Sequence, residues 1–361
     1  MSIRNIQLCK QLISKLKLDL TGLTVATECA SGAYAYTPIL ALLSGAQVIS
    51  IGRDSSYGSL QDNKTNIEQI ITKNNIEGKI SFLEKNKLNS SEVFNTVNII
   101  TNSGMIRPLN KEIIDLLPTN TVIPLMWETW EFRPTDLDIV ACQTKKIPVI
   151  GTNESYEGIN MFGYNSFIVL KLLFDLGIEG HNNKLLLLGG GKSGTNAYIG
   201  LKKMGLDVEW YTMDGEINSK KYTFLKENIL TSNFDAVINF EHEHDIQLIG
   251  KSGYITFDEL IEHNPSIVYG HICGNIDINQ LKKSQLKYLP KKILPFGYMS
   301  YETTNLGDRP VLELCALGLK VGEIAAKARL KGASIQDAIQ ATINCGIGQD
   351  FKGGFMNYGR N

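Results

Sequence analysis

The sequence predicts an α/β protein made of two doubly wound, Rossmann-like parallel-sheet domains with a deep interdomain cleft, and three observations carry that prediction. Short β-rich apolar runs alternate with helical stretches through the first 155 residues, the pattern of parallel strands crossed over by helices. A second alternation of the same kind begins at Lys184, after a long apolar-rich segment over 158–176. The chain has 361 residues, and at ~100–200 residues per domain that length makes two domains with ample core.

In chain order, the opening segment MSIRNIQLCKQLISKLKLDL alternates Lys with apolar residues and has no uninterrupted apolar stretch or small-residue cleavage site. It reads as an amphipathic helix. Strands are expected at 23–29, 47–53, 79–83, 97–101, 121–126 and 148–151, with helices at 37–44 and 63–73 between them. Five strands run into polar or glycine-containing turns: TECASGAYAY, GRDSSYGS, TNSGMIRP, MWETWEFR and GTNESYEG. In an open α/β sheet the ligand crevice lies outside the carboxyl ends of the strands, so these turns are expected to converge around the substrate. Segment 158–176 reads as a helix punctuated by Gly177 and Gly180. The second run then gives strands at 184–188, 207–212, 236–240 and 266–271 and a helix at 195–204, followed by a mostly helical tail over 309–345.

Charge and cysteine usage exclude several classes. The 36 Lys+Arg against 37 Asp+Glu leave a net charge of −1, and a nucleic-acid binder normally carries a basic surplus to displace counterions. No apolar run approaches the ~18–20 residues of a membrane span. Six scattered cysteines with no CxxC pair and no Cys/His ligand spacing point to reduced thiols in the cytoplasm and to no metal. A small-molecule ligand is the expected partner. Terminal helices apolar on more than one face suggest a homo-oligomer, dimer or tetramer.

The segment LLLLGGGKSGTNAYIGLKKMGLDVEWYTMD holds the most specific signal. Gly189, Gly191 and Gly194 satisfy G-x-G-x-x-G between a buried strand and a helix, with Lys192 and Ser193 at the helix mouth. The first glycine permits a tight turn, the second lets backbone N–H groups reach a pyrophosphate, and the third lets helix and strand pack closely. Asp214 follows Gly194 by 20 residues, where a carboxylate would accept hydrogen bonds from a ribose and favour NAD over NADP. Lys220 and Lys221 lie close enough to weaken that preference, so NADP stays open. Lys192-Ser193 does not make a P-loop, because position 186 is Leu rather than Gly.

Hydride transfer asks the protein for orientation, a proton-handling group and electrostatic support. His271, at the end of an apolar strand and beside Gly270, is the preferred acid/base, and a hydrogen-bonded core histidine is its competitor. Asn239 ends the preceding strand on the cofactor side. The His242-Glu243-His244 run reads as a solvated loop, since an i, i+2 pair shares no helix face and no third metal ligand is evident. In the first domain Glu128 and Glu131 are candidate bases and Arg133 a bidentate anion holder, with an ion-pair patch as the alternative. Arg107, Arg53, Asn102 and Ser103 lie in similar turns and are assigned to substrate. Cys29, with no basic neighbour, is assigned to packing.

With these segments in order the chain resembles the S-adenosylhomocysteine hydrolase and D-2-hydroxyacid dehydrogenase group of NAD-dependent proteins. PVIGTNESYEGINMFGYN looks like the crossover into the cofactor domain, GGGKSG like the dinucleotide loop, YGHICGNID like the hydrolases' Gly-His segment, and TTNLGDRP like the turn before the closing helices. The resemblance implies a substrate domain of 1–156 plus about 310–361, an inserted dinucleotide-binding domain of 157–309, and a substrate bound between them. The family's catalytic groups do not carry over. Glu157-Gly158-Ile159-Asn160 offers no lysine, Gly307-Asp308-Arg309-Pro310 stands where a Gly-His-Pro turn is expected, and no arginine lies between Arg133 and Arg309. The expected function is an NAD(P)-dependent oxidoreductase acting on a small, polar, anionic metabolite. The alternatives are a non-redox NAD-binding regulatory protein, or a hydrolase or lyase that uses tightly bound NAD internally.

Overall fold

A computed structural model of the chain describes residues 3–88, 91–212, 216–217, 220–221 and 226–359. The chain divides into two compact units, Met1–Asn160 with Asp308–Asn361, and Met161–Gly307. Among the described residues no helix is long and apolar enough to cross a membrane.

The first unit carries β1 (Thr24–Glu28), β2 (Gln47–Gly52), β3 (Ile80–Glu84), β4 (Val97–Ile100), β5 (Ile123–Pro124) and β6 (Val149–Thr152). Four of them form a parallel sheet in the order β3-β2-β1-β4. Ile100 N donates to Val122 O at 3.1 Å and Val122 N to Asn98 O at 2.9 Å, which carries the sheet on to β5. β6 pairs with β5 in parallel, and the short strand Gly348–Gln349 closes antiparallel on β6. β5 is shorter than expected because Pro124 has no N–H to give the ladder. The sheet therefore grows outward in two directions from β1 and β4. Val25, Ala26, Ile49, Ile51, Ile99 and Ile100 are all buried, as strands covered on both faces require.

The C-terminal tail is part of this unit. Helix Arg309–Leu330 is seated on the sheet through two glycines. A Cβ at Gly318 would stand 2.4 Å from Met126 Sδ, and one at Gly322 would stand 2.9 Å from Ile99 Cγ2. Asn5, on helix Ile3–Leu16, donates to Asp308 at 2.6 Å where the long helix begins.

The second unit carries β7 (Lys184–Leu188), β8 (Asp207–Tyr211), β9 (Glu216–Ile217), β10 (Lys220–Lys221), β11 (Ala236–Phe240), β12 (Gln247–Ile249), β13 (Val268–Cys273), β14 (Asn275–Ile276) and β15 (Lys287–Leu289). Its main sheet is parallel, in the order β15-β13-β11-β7-β8, so the direction of growth reverses between β7 and β11. One face buries Ile168, Leu172, Leu173, Ala197 and Leu201 from helices Asn165–Leu176 and Gly191–Lys203. The other buries Phe234, Leu248, Phe257, Leu260 and Tyr269.

The starts of two helices in the second unit differ from expectation. The helix expected over 158–176 starts at Asn165, after a 3-10 turn Met161–Tyr164. Asn160, at φ +52°, is left-handed and cannot continue a helix from Gly158. The helix expected from 195 starts at Gly191, because its first turn is made of the glycine loop itself.

Candidate functional site

A topological reversal in a doubly wound sheet opens a crevice at the strands' carboxyl ends. Each unit has one, and the sequence-predicted residues divide between them.

In the second unit the crevice lies between β7 and β11. Gly189 leaves β7 at φ +124°, where a Cβ would stand 2.3 Å from the Phe240 carbonyl. Gly191 follows at φ +66°. A Cβ at Gly194 would stand 2.7 Å from Gly189 O, so the third glycine does permit close packing of helix on strand. Trp210 Nε1 donates to the Gly189 carbonyl at 2.6 Å and braces the turn from β8. Ser193 is buried, and its carbonyl accepts from Asn165 Nδ2 at 3.3 Å. The Lys192 ammonium lies 5.6 Å over the Phe162 ring. Asp214 lies outside the described residues.

Carboxylates from the end of β11 already face this loop. Glu241, fully buried, accepts from the N–H groups of Gly190, Glu243 and His244, each at 2.9 Å. Its Oε1 also stands 3.3 Å from His244 Nδ1. Exposed Glu243 places Oε1 3.3 Å from Lys192 N. The 242–244 run therefore wraps an internal carboxylate.

His271 lies inside β13 rather than at its end, because the strand continues to Cys273. It is fully buried, and that burial lowers its pKa to about 4, so the ring is neutral at ordinary pH. Tyr269 Oη stands 3.1 Å from Nδ1, while Nε2 has no hydrogen-bond partner among the described residues. Asn239 is its register partner on β11 and is likewise buried. Asn239 stands beside the Tyr269 hydroxyl, yet neither of its amide atoms makes a well-formed hydrogen bond among the described residues. Gly270 admits the chain's own Leu172 and Ile238 rather than a ligand, since a Cβ there would stand 2.8 and 2.5 Å from them.

In the first unit the crevice lies between β1 and β4, and sequence reasoning passed over its central residue. Glu28, the last residue of β1, is 3 % exposed. Burial pushes its carboxyl up to about 7, against the opposing pull of the Met105 N–H, the Arg107 charge, the Gly104 N–H and the Ser103 hydroxyl. Met105 N stands 3.4 Å from Glu28 Oε2. Behind it runs a buried hydroxyl chain, Ser103 Oγ to Thr101 Oγ1 at 2.8 Å and Thr101 Oγ1 to Thr27 Oγ1 at 2.9 Å. Asn102 Oδ1 is buried and has no partner among the described residues. The available signal was an acid closing an otherwise uncharged strand, at the end where the topology puts ligands.

Cations gather around Arg107, the charge that acts on Glu28. Arg107 Nη1 and Arg133 Nη2 share one oxygen of Asp136, at 2.9 and 2.8 Å. Both guanidinium groups face the Trp127 ring, 4.5 and 5.5 Å from its centroid. Arg53 donates to the Arg107 carbonyl at 3.0 Å, and Lys85 to the Pro108 carbonyl at 3.1 Å. Burial, with Arg53 and Arg107 nearby, holds Lys85 down at about 8. Arg53 and Lys85 each follow one member of the register pair Gly52 and Glu84, so the ends of β2 and β3 deliver both to the same side.

Of the candidate bases nearby, Glu128 is engaged structurally: Trp130 Nε1 donates to it at 2.6 Å and Gln349 Nε2 at 2.9 Å. Glu131 closes the 3-10 turn Thr129–Glu131 and is half-buried. Cys29 is buried against Gly52, and burial raises its thiol to about 11. Four of the five polar turns are thus linked around Glu28 and Arg107. The fifth, GTNESYEG, joins MWETWEFR through Thr152 N, which donates to Trp127 O at 2.8 Å, and is also held to the tail, where Asn153 donates through its side chain to Gly346 O and through its backbone to Ile347 O, both at 2.8 Å.

No family model matches the chain, and no curated protein matches it. Several solved structures follow a similar course. One is a dipicolinate synthase chain from Bacillus halodurans, at a TM-score of 0.49 and 12% identity, covering 84% of this chain and 99% of that one. A 2-hydroxyacid dehydrogenase from Ketogulonicigenium vulgare gives 0.45 and 10%, covering 87% and 96%. A glyoxylate reductase from Paecilomyes thermophila gives 0.44 and 14%, covering 87% and 98%.

Proposed function

We propose that the chain is an NAD(P)-dependent oxidoreductase whose second unit holds the dinucleotide and whose first unit binds a small anionic metabolite. The observation that carries this reading is the glycine loop between β7 and helix Gly191–Lys203, with Gly189 and Gly191 at positive φ and Gly194 packed under Gly189 O. That shape fits a diphosphate at a helix N-terminus. Glu243 supports the fit: an exposed carboxylate already stands at the Lys192 N–H, as an anion would.

When bound, a nicotinamide supplies the hydride chemistry. The chain's own residues supply the rest. Lys192 and Ser193 present N–H groups in the first turn of helix Gly191–Lys203, and Asn239 and His271 offer buried polar atoms with no partner among the described residues. His271, neutral and enclosed, suits orienting a polar group better than exchanging protons with solvent. Its burial also favours a second reading, in which bound dinucleotide undergoes no net redox change.

Titration with NADH and NADPH, followed by energy transfer from tryptophan, tests the proposal. Trp210 touches the glycine turn and is the natural donor. Sensitised nicotinamide emission that disappears in Trp210→Phe is expected. Absence of binding by either nucleotide below about 1 mM would overturn the reading. Comparing the two titrations settles the coenzyme preference.

A further inference from the structure

We propose that the crevice at the ends of β1 and β4 is an oxyanion site in which Glu28 shares a proton with the ligand. Its ligand is a small molecule carrying a carboxylate or phosphate beside an oxygen that accepts that proton. The inference rests on the reading of the first unit as the metabolite-binding unit, and it needs nothing from the second.

Three independent observations point to it. A Cβ at Gly104 would stand 3.6 Å from Arg107 Nη2 and 3.7 Å from Glu28 Oε2, so the missing side chain leaves room between a guanidinium and a carboxyl. Buried polar capacity is left over, since Asn102 Oδ1 and Arg107 Nε have no partner among the described residues. Such atoms are costly unless something pairs with them. Finally, Arg53, Lys85, Arg107 and Arg133 gather here, with Asp136 the carboxylate that two of them share.

The groups facing Glu28 are consistent with a titrating carboxyl. Arg107 is permanently charged. The Ser103 hydroxyl and the Gly104 and Met105 N–H groups are neutral. The thiols of Cys29 and Cys315 feel the Glu28 charge, but burial raises them to about 11 and 12, so neither competes for protons near neutrality. An arriving anion is drawn by the cations and favours protonated Glu28. Binding above neutral pH then takes up a proton, making one O–H bond on the carboxyl and no other covalent change.

Calorimetric titration of the full chain at pH 8, in two buffers of different ionisation enthalpy, reads that proton directly. The probes are glycolate for a carboxylate, inorganic phosphate, and neutral glycolamide. At least one anion is expected to bind with proton uptake that vanishes in Glu28→Gln. Arg107→Gln should weaken that binding about tenfold or more, and glycolamide should not bind. If Glu28→Gln does not fold, Gly104→Ala serves instead: it should abolish anion binding while lowering the thermal midpoint by no more than about 4 °C. Glycolate alone assigns a carboxylate ligand and phosphate alone a phosphorylated one. The proposal is overturned if neither anion binds below about 10 mM. It is also overturned if Glu28→Gln keeps the wild-type proton uptake, or if Gly104→Ala binds normally. Failure of NADH binding with this uptake intact would remove the dinucleotide reading alone.

Discussion

At the reversal of the second unit's sheet, buried Glu241 gathers three backbone N–H groups and exposed Glu243 stands at a fourth. At the reversal of the first unit's sheet, four cations gather near the strand ends, two of them on Asp136 and two on the carbonyls of Arg107 and Pro108, and buried atoms of Asn102 and Arg107 are left unpaired among the described residues. Both crevices follow from the same strand arrangement and both leave buried polar atoms unpaired among the described residues, Asn239 and His271 in the second unit and Asn102 and Arg107 in the first, yet carboxylates face the strand ends in the second unit and cations gather there in the first. The contrast separates two ways of readying an anion site. A glycine loop with its amides occupied is rigid and cheap to keep folded. A cationic crevice with leftover polar capacity costs stability that a ligand restores.

The glycines sharpen this contrast most. Gly189→Ala forces a Cβ to within 2.3 Å of the Phe240 carbonyl at a φ that L residues avoid, and should cost about 3 kcal/mol or more. A large drop in the denaturation midpoint followed by Trp210 fluorescence, with loss of NADH binding, is expected. Gly104→Ala meets its nearest neighbours at 3.6 and 3.7 Å, an ordinary contact distance, and should cost under about 1 kcal/mol. Equal losses in the two variants would erase the distinction between a structural and a ligand-facing glycine.

The two units should also respond to pH with opposite signs. Glu28 titrates from 4.5 when unfolded to about 7 when folded. Between those values the folded state holds more protons, so stability falls as pH rises. His271 titrates from 6.5 when unfolded to about 4 when folded. Between those values the folded state holds fewer protons, so stability rises with pH. Each shift is worth on the order of 3 kcal/mol across its window. In the intact chain the slopes oppose one another from about pH 4.5 to 6.5. Glu28→Gln should unmask the rising slope and leave the protein more stable than wild type at pH 8. His271→Asn should unmask the falling one. Denaturation midpoints at pH 5, 6 and 8 test both, and parallel profiles in the two variants would refute the assignment.

How much of this was legible in the sequence depends on the range of the cause. Strands β7 and β11 fall on the expected residues, because a buried parallel strand declares itself as a local apolar run. The glycine loop was readable for the same reason, since its turn, approach and packing are all local. Glu28 was passed over because its environment is set by residues 75–79 positions away in sequence, Ser103 to Arg107, which an isolated TECA segment cannot announce. His271 was expected at a strand end, and only the pairing of β13 with its neighbours carries the strand on to Cys273. Likewise, nothing local in the turn of Arg133 reveals that Arg107 reaches the same Asp136 oxygen.

Glu243 offers the finest test of the comparison. Its carboxylate is exposed and stands 3.3 Å from the Lys192 N–H, with Gly191 leaving the space beneath it. An anion at a helix N-terminus is worth ~0.3–1 kcal/mol when solvent-exposed, and a diphosphate arriving at the same amide must displace it or sit beside its charge. Glu243→Gln removes that competing charge and keeps the side chain's size. It should tighten NADH binding about two- to fivefold at low ionic strength, with the gain fading in high salt as the charges are screened. Arg53→Gln, at the other crevice, should leave the same titration unchanged. Unaltered or weaker NADH binding in Glu243→Gln would mean that the carboxylate and the dinucleotide do not compete for the loop. The carboxylate's hold on the Lys192 N–H would then be part of the fold rather than a stand-in for a ligand.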